Sequence, residues 1–163
     1  MKRLGNENVD LDLVDLQILQ ALTNQARLSM AELAREIGMS APSVTERVRR
    51  LEERGVITGY HAHVDPAALG LPITVLIRVR PVPGRLKQVA EILRSLEAIV
   101  ECDRITGDDC YVAKAHLASV ADLEGLLDEI NPHARTNTSI LQSSPVPRRL
   151  PPIDLDGGGS EGG

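Results

Sequence analysis

The sequence predicts an α+β fold made of two small units, the first helical and the second a sheet with two helices. Up to about residue 55, apolar residues recur every three or four positions, which is the spacing of one helix face. From residue 73, stretches in which every second residue is apolar alternate with helical stretches, in the order βαββαβ. A chain of 163 residues is long enough for two units of this size.

The first predicted helix begins near Leu11 and ends near Asn24. Either Asp10 or Asp12 can cap its start, because a short acidic side chain accepts the free amide hydrogens of a first turn. Its apolar residues are Leu11, Val14, Ile18, Leu19 and Leu22. Residues 1–9 are polar and precede this stripe.

The next two predicted helices are separated by a very short turn. Ser29 and Glu32 have the spacing of a capping box, so a helix begins there, and it stops at Gly38. Ser40 caps the following helix, which runs to Gly55 and tolerates a proline in its first turn. Two helices joined in this way are typical of a helix-turn-helix.

The segment 56–64 has the composition of a strand and is predicted to form a wing after the third helix. Together with the helices it completes a winged helix-turn-helix domain over residues 10–64. Residues 65–72 begin with Asp65-Pro66, a turn signal, and are predicted to form a linker.

The second unit is predicted to span residues 73–144. Its elements, in order, are a strand at 73–80, a helix at 86–96, a strand at 99–105, a turn at 106–109, a strand at 110–117, a helix at 120–130 and a strand at 136–142. This order is that of a ferredoxin-like fold. The tail 145–163 is rich in proline, glycine and aspartate, and we expect it to be disordered.

Composition excludes several classes of function. The chain has no Trp or Phe and only two Tyr, which argues strongly against recognition by stacking bases on aromatic side chains. Its net charge of −5 argues against a protein that coats nucleic acid without preference, although a local basic face still suits phosphates. Cys102 and Cys110 are too few for a disulfide framework and are not spaced for zinc, so we expect buried small side chains.

Localisation and activity are constrained by what the sequence lacks. Lys2-Arg3 is followed by polar residues rather than a signal peptide, and no apolar stretch reaches membrane-spanning length. We therefore expect a cytoplasmic protein with no membrane partner. The sequence has no P-loop, dinucleotide fingerprint, nucleophile elbow or metal-ligand set, so we expect no catalytic residues, no cofactor and no bound metal.

The helix that begins at Ser40 combines an apolar stripe with a polar face that carries arginines. A helix that reads DNA needs both, because one side is anchored in its domain while the other enters the major groove. Val44, Val48 and Leu51 are predicted to face inward. The candidate DNA-binding residues are Ser40, Pro42, Ser43, Thr45, Glu46, Arg47, Arg49, Arg50 and Arg54.

Position along this helix separates two kinds of contact. Ser43 and Glu46 lie early on the outward face, where side chains reach base edges. Arg49, Arg50 and Arg54 are better placed for phosphates. Two alternatives remain open, since the same arginines are common on a solvated helix face and a winged helix can also bind protein.

Residues 10 to about 144 resemble the leucine-responsive regulator family, Lrp/AsnC. The resemblance rests on Leu11-Asp12 with Gln17-Ile18-Leu19, on Ala31-Glu32-Leu33-Ala34, and on the run SVTERVRRLEERGVITGY at 43–60. It implies a transcription regulator that binds double-stranded DNA in the bacterial nucleoid. It also implies a βαββαβ C-terminal domain, called RAM and related to ACT domains, that binds an amino acid or related metabolite.

The resemblance further implies homodimers, and octamers in many members, built through the C-terminal domain. The first strand of that domain offers a candidate surface for assembly. Its apolar face consists of Ile73, Val75, Ile77 and Val79.

The family's ligand loop has the pattern Thr/Ser-Gly-x-x-Asp-Tyr. By this resemblance the candidate ligand-binding residues are Thr106, Gly107, Asp108, Asp109, Cys110 and Tyr111, with Cys110 in the place of the aspartate. From the residues alone, aspartates in a glycine turn also serve backbone hydrogen bonds. Gly107 equally suits a turn or a close approach to a ligand.

Two other functions remain as alternatives. An architectural DNA-binding protein would share the helix-turn-helix but would not respond to a small molecule. A regulatory subunit of an amino-acid metabolic enzyme would share the ACT-like domain. A change of DNA affinity on addition of a small molecule separates a sensor from both.

Overall fold

The computed structural model describes residues 10–146, 149, 152, 153 and 155. They form two compact units: the chain up to Ala62 with the described residues beyond 148, and the chain from His63 to residue 146. Each unit has its own apolar core. None of the helices described in these ranges is long and apolar enough to cross a lipid bilayer.

Three helices make up the first unit, and each starts at a capping side chain. They are α1 (Leu13–Asn24), α2 (Met30–Ile37) and α3 (Ala41–Glu53). Asp12 caps α1 by accepting the amide hydrogen of Asp15 at 2.8 Å. Ser29 and Glu32 form the predicted capping box at the start of α2, and Ser40 caps α3.

The turn between α2 and α3 depends on Gly38. Its φ of +76° is a left-handed conformation that glycine adopts without strain. The amide of the next residue, Met39, donates to the carbonyl of Ala34 at 2.9 Å and closes the end of α2. As a result α3 begins at Ala41, only four residues after Ile37, and packs against both α1 and α2.

The core of the first unit is entirely aliphatic. Ile18 of α1, Leu33 of α2, and Val44 and Leu51 of α3 are 0–1 % exposed. Burying a side chain of this size contributes about 1.5–3 kcal/mol. The inward positions of α3 predicted from its spacing are therefore confirmed, and its opposite face is free to be polar.

The prediction of a strand at 56–64 is wrong within the residues described. The amide hydrogens of Val56 and Ile57 both donate to the carbonyl of Leu51, which ties this part to the end of α3. The rest of the segment forms neither helix nor strand and pairs with no described strand. A composition rich in β-branched residues is not sufficient to form a strand, because the backbone of a strand needs a neighbouring strand for its hydrogen bonds. A short 3₁₀ helix, Pro66–Leu69, lies in the predicted linker.

The second unit is a four-stranded antiparallel sheet with two helices. Its elements are β1 (Ile73–Pro81), α4 (Leu86–Ser95), β2 (Ile99–Arg104), β3 (Tyr111–Leu117), α5 (Val120–Ile130) and β4 (Ala134–Ile140). The strand order is β2-β3-β1-β4, as in a ferredoxin-like fold. The α+β class and the element order predicted from the sequence are confirmed.

Strand β4 starts and ends two residues earlier than the predicted range 136–142. It begins at Ala134 because that residue pairs with Pro81, the last residue of β1. Thr, Asn and Ser dominate β4, so its sequence carries little alternation to mark the ends.

Both helices of the second unit pack on the same face of the sheet. Val75, Ile77 and Val79 of β1 are fully buried there, in one cluster with Val89 of α4 and Ile130 of α5. The suggestion that this apolar face of β1 serves assembly is therefore wrong, because it forms the core of the unit. The opposite face of the sheet is covered by neither helix.

Two further expectations concern Cys102 and the tail. Cys102 lies on β2 and is exposed, so the expectation that it is buried is wrong, while Cys110 is partly buried. β2 is an edge strand, which leaves its side chains less covered than those of β1. The disorder expected for 145–163 concerns residues that lie mostly outside those described.

Candidate nucleic-acid interface and ligand site

The polar face of α3 presents almost all of the candidate DNA-binding residues together. Of the nine, only Arg47 is partly buried and the other eight are exposed. At the start of the helix the hydroxyls of Ser40 and Ser43 are 2.7 Å apart and hydrogen-bonded. Thr45 donates its hydroxyl to the carbonyl of Ala41 at 2.8 Å. The first turn is therefore ordered by its own side chains, with Pro42 exposed within it.

A network of charges covers the middle of α3. The guanidinium of Arg49 lies 2.6 Å from a carboxylate oxygen of Glu46 and also pairs with Glu53. The hydrogen bond from Arg49 lowers the pKa of Glu46, and the same bond raises the pKa of Arg49. All three side chains are about half exposed, between 52 and 57 %. Exposed pairs of this kind contribute little stability, about 0–1 kcal/mol.

Arg50 and Arg54 extend this face toward the end of the helix. Arg54 donates to the backbone carbonyl of Asp10 at 3.1 Å. Among the residues that the structure describes, the side chain of Arg50 forms no ion pair. Arg50 and Arg54 are thus the arginines of this face whose charge no described carboxylate neutralises by contact.

Arg47 forms ion pairs within the first unit rather than presenting a free charge. Its guanidinium lies 2.7 Å from a carboxylate oxygen of Asp12 and 2.8 Å from one of Asp15, both at the start of α1. The pKa of Asp12 is lowered, first by the amide of Asp15 and then by Arg47. The pKa of Arg47 is raised by the two carboxylates. This Asp12–Arg47–Asp15 clamp joins α3 to α1.

The segment after α3 is attached to the helix by Tyr60. The hydroxyl of Tyr60 donates to a carboxylate oxygen of Glu52 at 2.9 Å. Partial burial, with the neighbouring carboxylate, raises the pKa of Tyr60 to about 12, so the hydroxyl keeps its proton at physiological pH.

The candidate ligand loop, Thr106 to Asp109, joins β2 to β3. Its ends meet where the amide of Ile105 donates to the carbonyl of Cys110 at 2.9 Å. Gly107 has a φ of +108°, which a residue with a Cβ adopts only with strain. Thr106, Gly107 and Asp108 are exposed.

A cation from a neighbouring strand lies between the two aspartates of this loop. Arg80, near the end of β1, places its guanidinium 3.3 Å from a carboxylate oxygen of Asp108 and 3.6 Å from one of Asp109. The loop therefore carries both signs of charge within one small region. No pattern in the sequence indicates Arg80, because only the pairing of β1 with β3 brings it near a loop about 28 residues away.

Cys110 and Tyr111 belong to the body of the sheet rather than to the exposed loop. The amide of Cys110 donates to the carbonyl of Val79 at 3.0 Å. Tyr111 is 7 % exposed, and its hydroxyl donates to the carbonyl of Leu86 at 3.1 Å. These two residues hold the base of the loop against β1 and α4.

Comparison with known proteins agrees with this two-part arrangement. The family model described as winged helix-turn-helix DNA-binding matches residues 11–58. The model described as Lrp/AsnC ligand binding domain matches residues 74–151. The two halves therefore define a class of protein, a transcription regulator that binds DNA with one domain and carries a ligand-binding domain after it.

Individual relatives match most of the chain. The HTH-type transcriptional regulator LrpC of Bacillus subtilis is 38 % identical over 133 residues, which cover 82 % of this chain and 92 % of that protein. The leucine-responsive regulatory protein of Escherichia coli is 35 % identical over 123 residues, 74 % of this chain and 75 % of that one. This chain belongs to the Lrp/AsnC family, as its resemblance indicated, and is a DNA-binding regulator rather than an enzyme.

Solved structures show the same fold. That of LrpC from Bacillus subtilis superposes with a TM-score of 0.79 at 37 % identity, covering 83 % of this chain and 96 % of that one. The feast or famine regulatory protein of M. tuberculosis, complexed with L-methionine, superposes with a TM-score of 0.82 at 31 % identity, covering 89 and 100 %.

Proposed function

We propose that this regulator places α3 in the major groove of DNA, with the start of the helix toward the bases and its end along the phosphates. The exposed polar face of α3, opposite a fully buried stripe, carries this proposal. Ser43 and Glu46 are assigned to base edges, where a glutamate accepts from the amino group of cytosine. Arg50 and Arg54 are assigned to phosphates.

Arg49 has a conditional role in this scheme. Its two carboxylate partners are exposed, so water screens these pairs and a phosphate can compete for the guanidinium. Exchange of Glu46 for a phosphate would leave the Glu46 carboxylate free to accept from a base. Arg47, in contrast, is assigned to the clamp with α1 and not to DNA.

We further propose that the loop 106–109 and Arg80 bind the charged groups of an amino acid. A zwitterion carries both an ammonium and a carboxylate group, so it can separate Arg80 from the two aspartates and pair with both sides. Support comes from the opposite charges gathered at this loop and from the relative solved with L-methionine. Cys110 and Tyr111 position the loop without contacting the ligand in this scheme.

Replacement of Asp109 by alanine is expected to abolish the response to the amino acid while leaving DNA binding without ligand unchanged. The ammonium group loses a charge-assisted hydrogen bond, and the Kd of the amino acid rises about tenfold or more. A thermal-shift screen of the parent chain against the amino acids identifies the ligand, because binding to the folded state raises Tm. Gly107→Val, strained at its positive φ, is expected to act in the same way.

Asp128→Ala is the matched control, since Asp128 is an exposed aspartate of α5 outside the loop. A full ligand response in both loop variants would place the sensing site elsewhere. A parent chain whose stability and DNA affinity respond to none of the amino acids would instead favour an architectural DNA-binding protein.

We also propose that the chain forms homodimers, and that octamers assemble from them, through the sheet face that neither helix covers. Leu76 of β1 and Val112 of β3 are half-buried on this face. Around them lie basic side chains, including Arg78 and Lys114, and the acidic Asp103, so two copies can pair unlike charges. A twofold dimer favours operators with two symmetric half-sites.

Sedimentation at micromolar concentration is expected to give a dimer, twice the chain mass of 17.6 kDa. Leu76→Arg places a desolvated charge in the proposed interface and is expected to yield monomers. Leu76→Met keeps an apolar side chain of similar size and is expected to remain dimeric. Unaltered dimerisation of Leu76→Arg would show that another surface is used.

A further inference from the structure

The sheet face that neither helix covers can be mapped from the register of its strands. Leu76 and Arg78 alternate with the buried residues of β1, so both lie on the uncovered face. Residues directly opposite one another on neighbouring strands share a face, so each of these two positions defines a row across the sheet. In the strand order β2, β3, β1, β4, the rows are Asp103, Val112, Arg78 and Asn137, and Glu101, Lys114, Leu76 and Ser139.

Charges of opposite sign lie at opposite edges of this face. The two acidic residues of the rows, Glu101 and Asp103, are both on the edge strand β2. Arg78 lies on the far side, on β1, and Arg135 carries the basic region to the other edge strand, β4. The face therefore has an acidic edge at β2 and a basic edge at β4, with the half-buried side chains on the strands between them.

The charges at the two edges have no partners within the unit. In the described part of the chain, neither the two acidic residues of β2 nor Arg78 and Arg135 form an ion pair. All four side chains are exposed. They are therefore available to a surface that presents the opposite arrangement of charges.

A second copy of this face presents that arrangement in one orientation. A twofold axis between two facing sheets, parallel to the strands, reverses the strand order, so that β2 of each copy lies over β4 of the other. The acidic edge then meets the basic edge twice. A twofold axis across the strands instead lays β2 over β2 and β4 over β4, so that like charges face each other.

We propose that the charges of this face set the orientation of the homodimer, with β2 of each copy over β4 of the other. This inference rests on the proposed dimerisation through the uncovered face and adds the orientation of the two copies. The half-buried Leu76 and Val112 supply apolar contact at the centre, which does not distinguish the orientations. The edge charges do, because like charges brought together cost more than exposed opposite charges gain.

Two charge-reversed variants test this orientation. The first carries Glu101→Lys with Asp103→Lys, and the second carries Arg78→Glu with Arg135→Glu. Each variant alone is expected to raise the Kd of the dimer about tenfold or more, because both edge contacts then join like charges. Sedimentation equilibrium at about 0.1 M salt measures this Kd. If β2 lay over β2, each variant would only exchange one like-charge contact for another, so an unchanged Kd in both would overturn the proposal.

Mixing the two variants distinguishes lost charge pairing from a damaged fold. In the mixed dimer both edge contacts again join opposite charges, so a Kd within about threefold of that of the parent is expected. Native mass spectrometry identifies this heterodimer, because the two variants differ in mass. Two variants with the Tm of the parent that form no heterodimer would refute the orientation.

The control variant carries Asp128→Lys with Glu129→Lys, two exposed positions of α5 on the other side of the sheet. It changes the net charge as much as the first variant does and is expected to dimerise like the parent. An equal loss of dimer in this control would show that net charge, rather than the arrangement of charges, governs association. A monomeric parent would refute the proposed dimer itself, whereas a dimeric parent with unaffected variants would refute the orientation alone.

Discussion

Replacement of both Arg49 and Arg50 by alanine is expected to weaken binding to every duplex about a hundredfold. Each arginine supplies a charge-assisted hydrogen bond of about 1.5 kcal/mol, and about 1.4 kcal/mol corresponds to a factor of ten. The slope of log K against log salt is expected to become shallower by about 0.9 for each lost phosphate contact. Titrations of a specific and an unrelated duplex at several salt concentrations measure both quantities.

Arg94→Ala is the control for this experiment, because Arg94 is an exposed arginine of α4 in the other unit. Glu46→Gln and Ser43→Ala are expected to change the preferred operator rather than the salt dependence, since base contacts specify and phosphate contacts position. An unchanged salt slope in the double arginine variant would disprove the assigned DNA-facing surface.

Replacement of Arg47 by alanine is expected to destabilise the first unit by about 2 kcal/mol and to weaken DNA binding with it. The substitution leaves Asp15, whose side chain is 12 % exposed, as an unpaired carboxylate. Removing one partner of a fully buried pair costs about 3–5 kcal/mol. Arg47 and Asp12 are more exposed, at 25 and 54 %, which reduces the effect. Urea unfolding at neutral pH measures the loss.

Arg50→Ala on the same helix is the control, because it is expected to reduce DNA affinity without reducing stability. It removes an arginine that no carboxylate among the described residues contacts, so the free energy of unfolding of this variant is expected to stay within about 0.5 kcal/mol of the parent while its DNA affinity falls. Arg47→Lys keeps the charge without the planar fork and is expected to be intermediate in stability. Equal stabilities of Arg47→Ala and Arg50→Ala would show that the clamp contributes nothing to the fold.

Much of the fold follows from interactions between residues close in the chain. The capping box of Ser29 and Glu32, the turn at Gly38 and the alternation along β1 are local, so the sequence alone predicts them. The segment 56–64 was predicted wrongly because a strand depends on a partner that composition does not reveal. The ends of β4 depend in the same way on its register with β1.

The sequence predicts which residues belong to each candidate site, but it does not predict which of their side chains form ion pairs. Helical spacing places Arg47 and Arg50 on one polar surface, but only the packing of α1 on α3 commits Arg47 to Asp12 and Asp15. Similarly, resemblance to a family indicates the loop residues. The contact of Arg80 with Asp108 and Asp109, in contrast, depends on how the strands pair in the folded sheet. Contacts between residues distant in the chain leave no periodic signal.

The ion pairs along α3 also bear on how such a regulator finds its operator. A chromosome offers millions of competing sites, and a strongly basic helix would be retained on all of them. Here Glu46 and Glu53 pair with Arg49, so part of the positive charge of the proposed DNA-facing surface is already neutralised in the free protein. In the proposed docking we therefore expect shorter residence on unrelated sequence, and a larger share of the chains free to sample further sites.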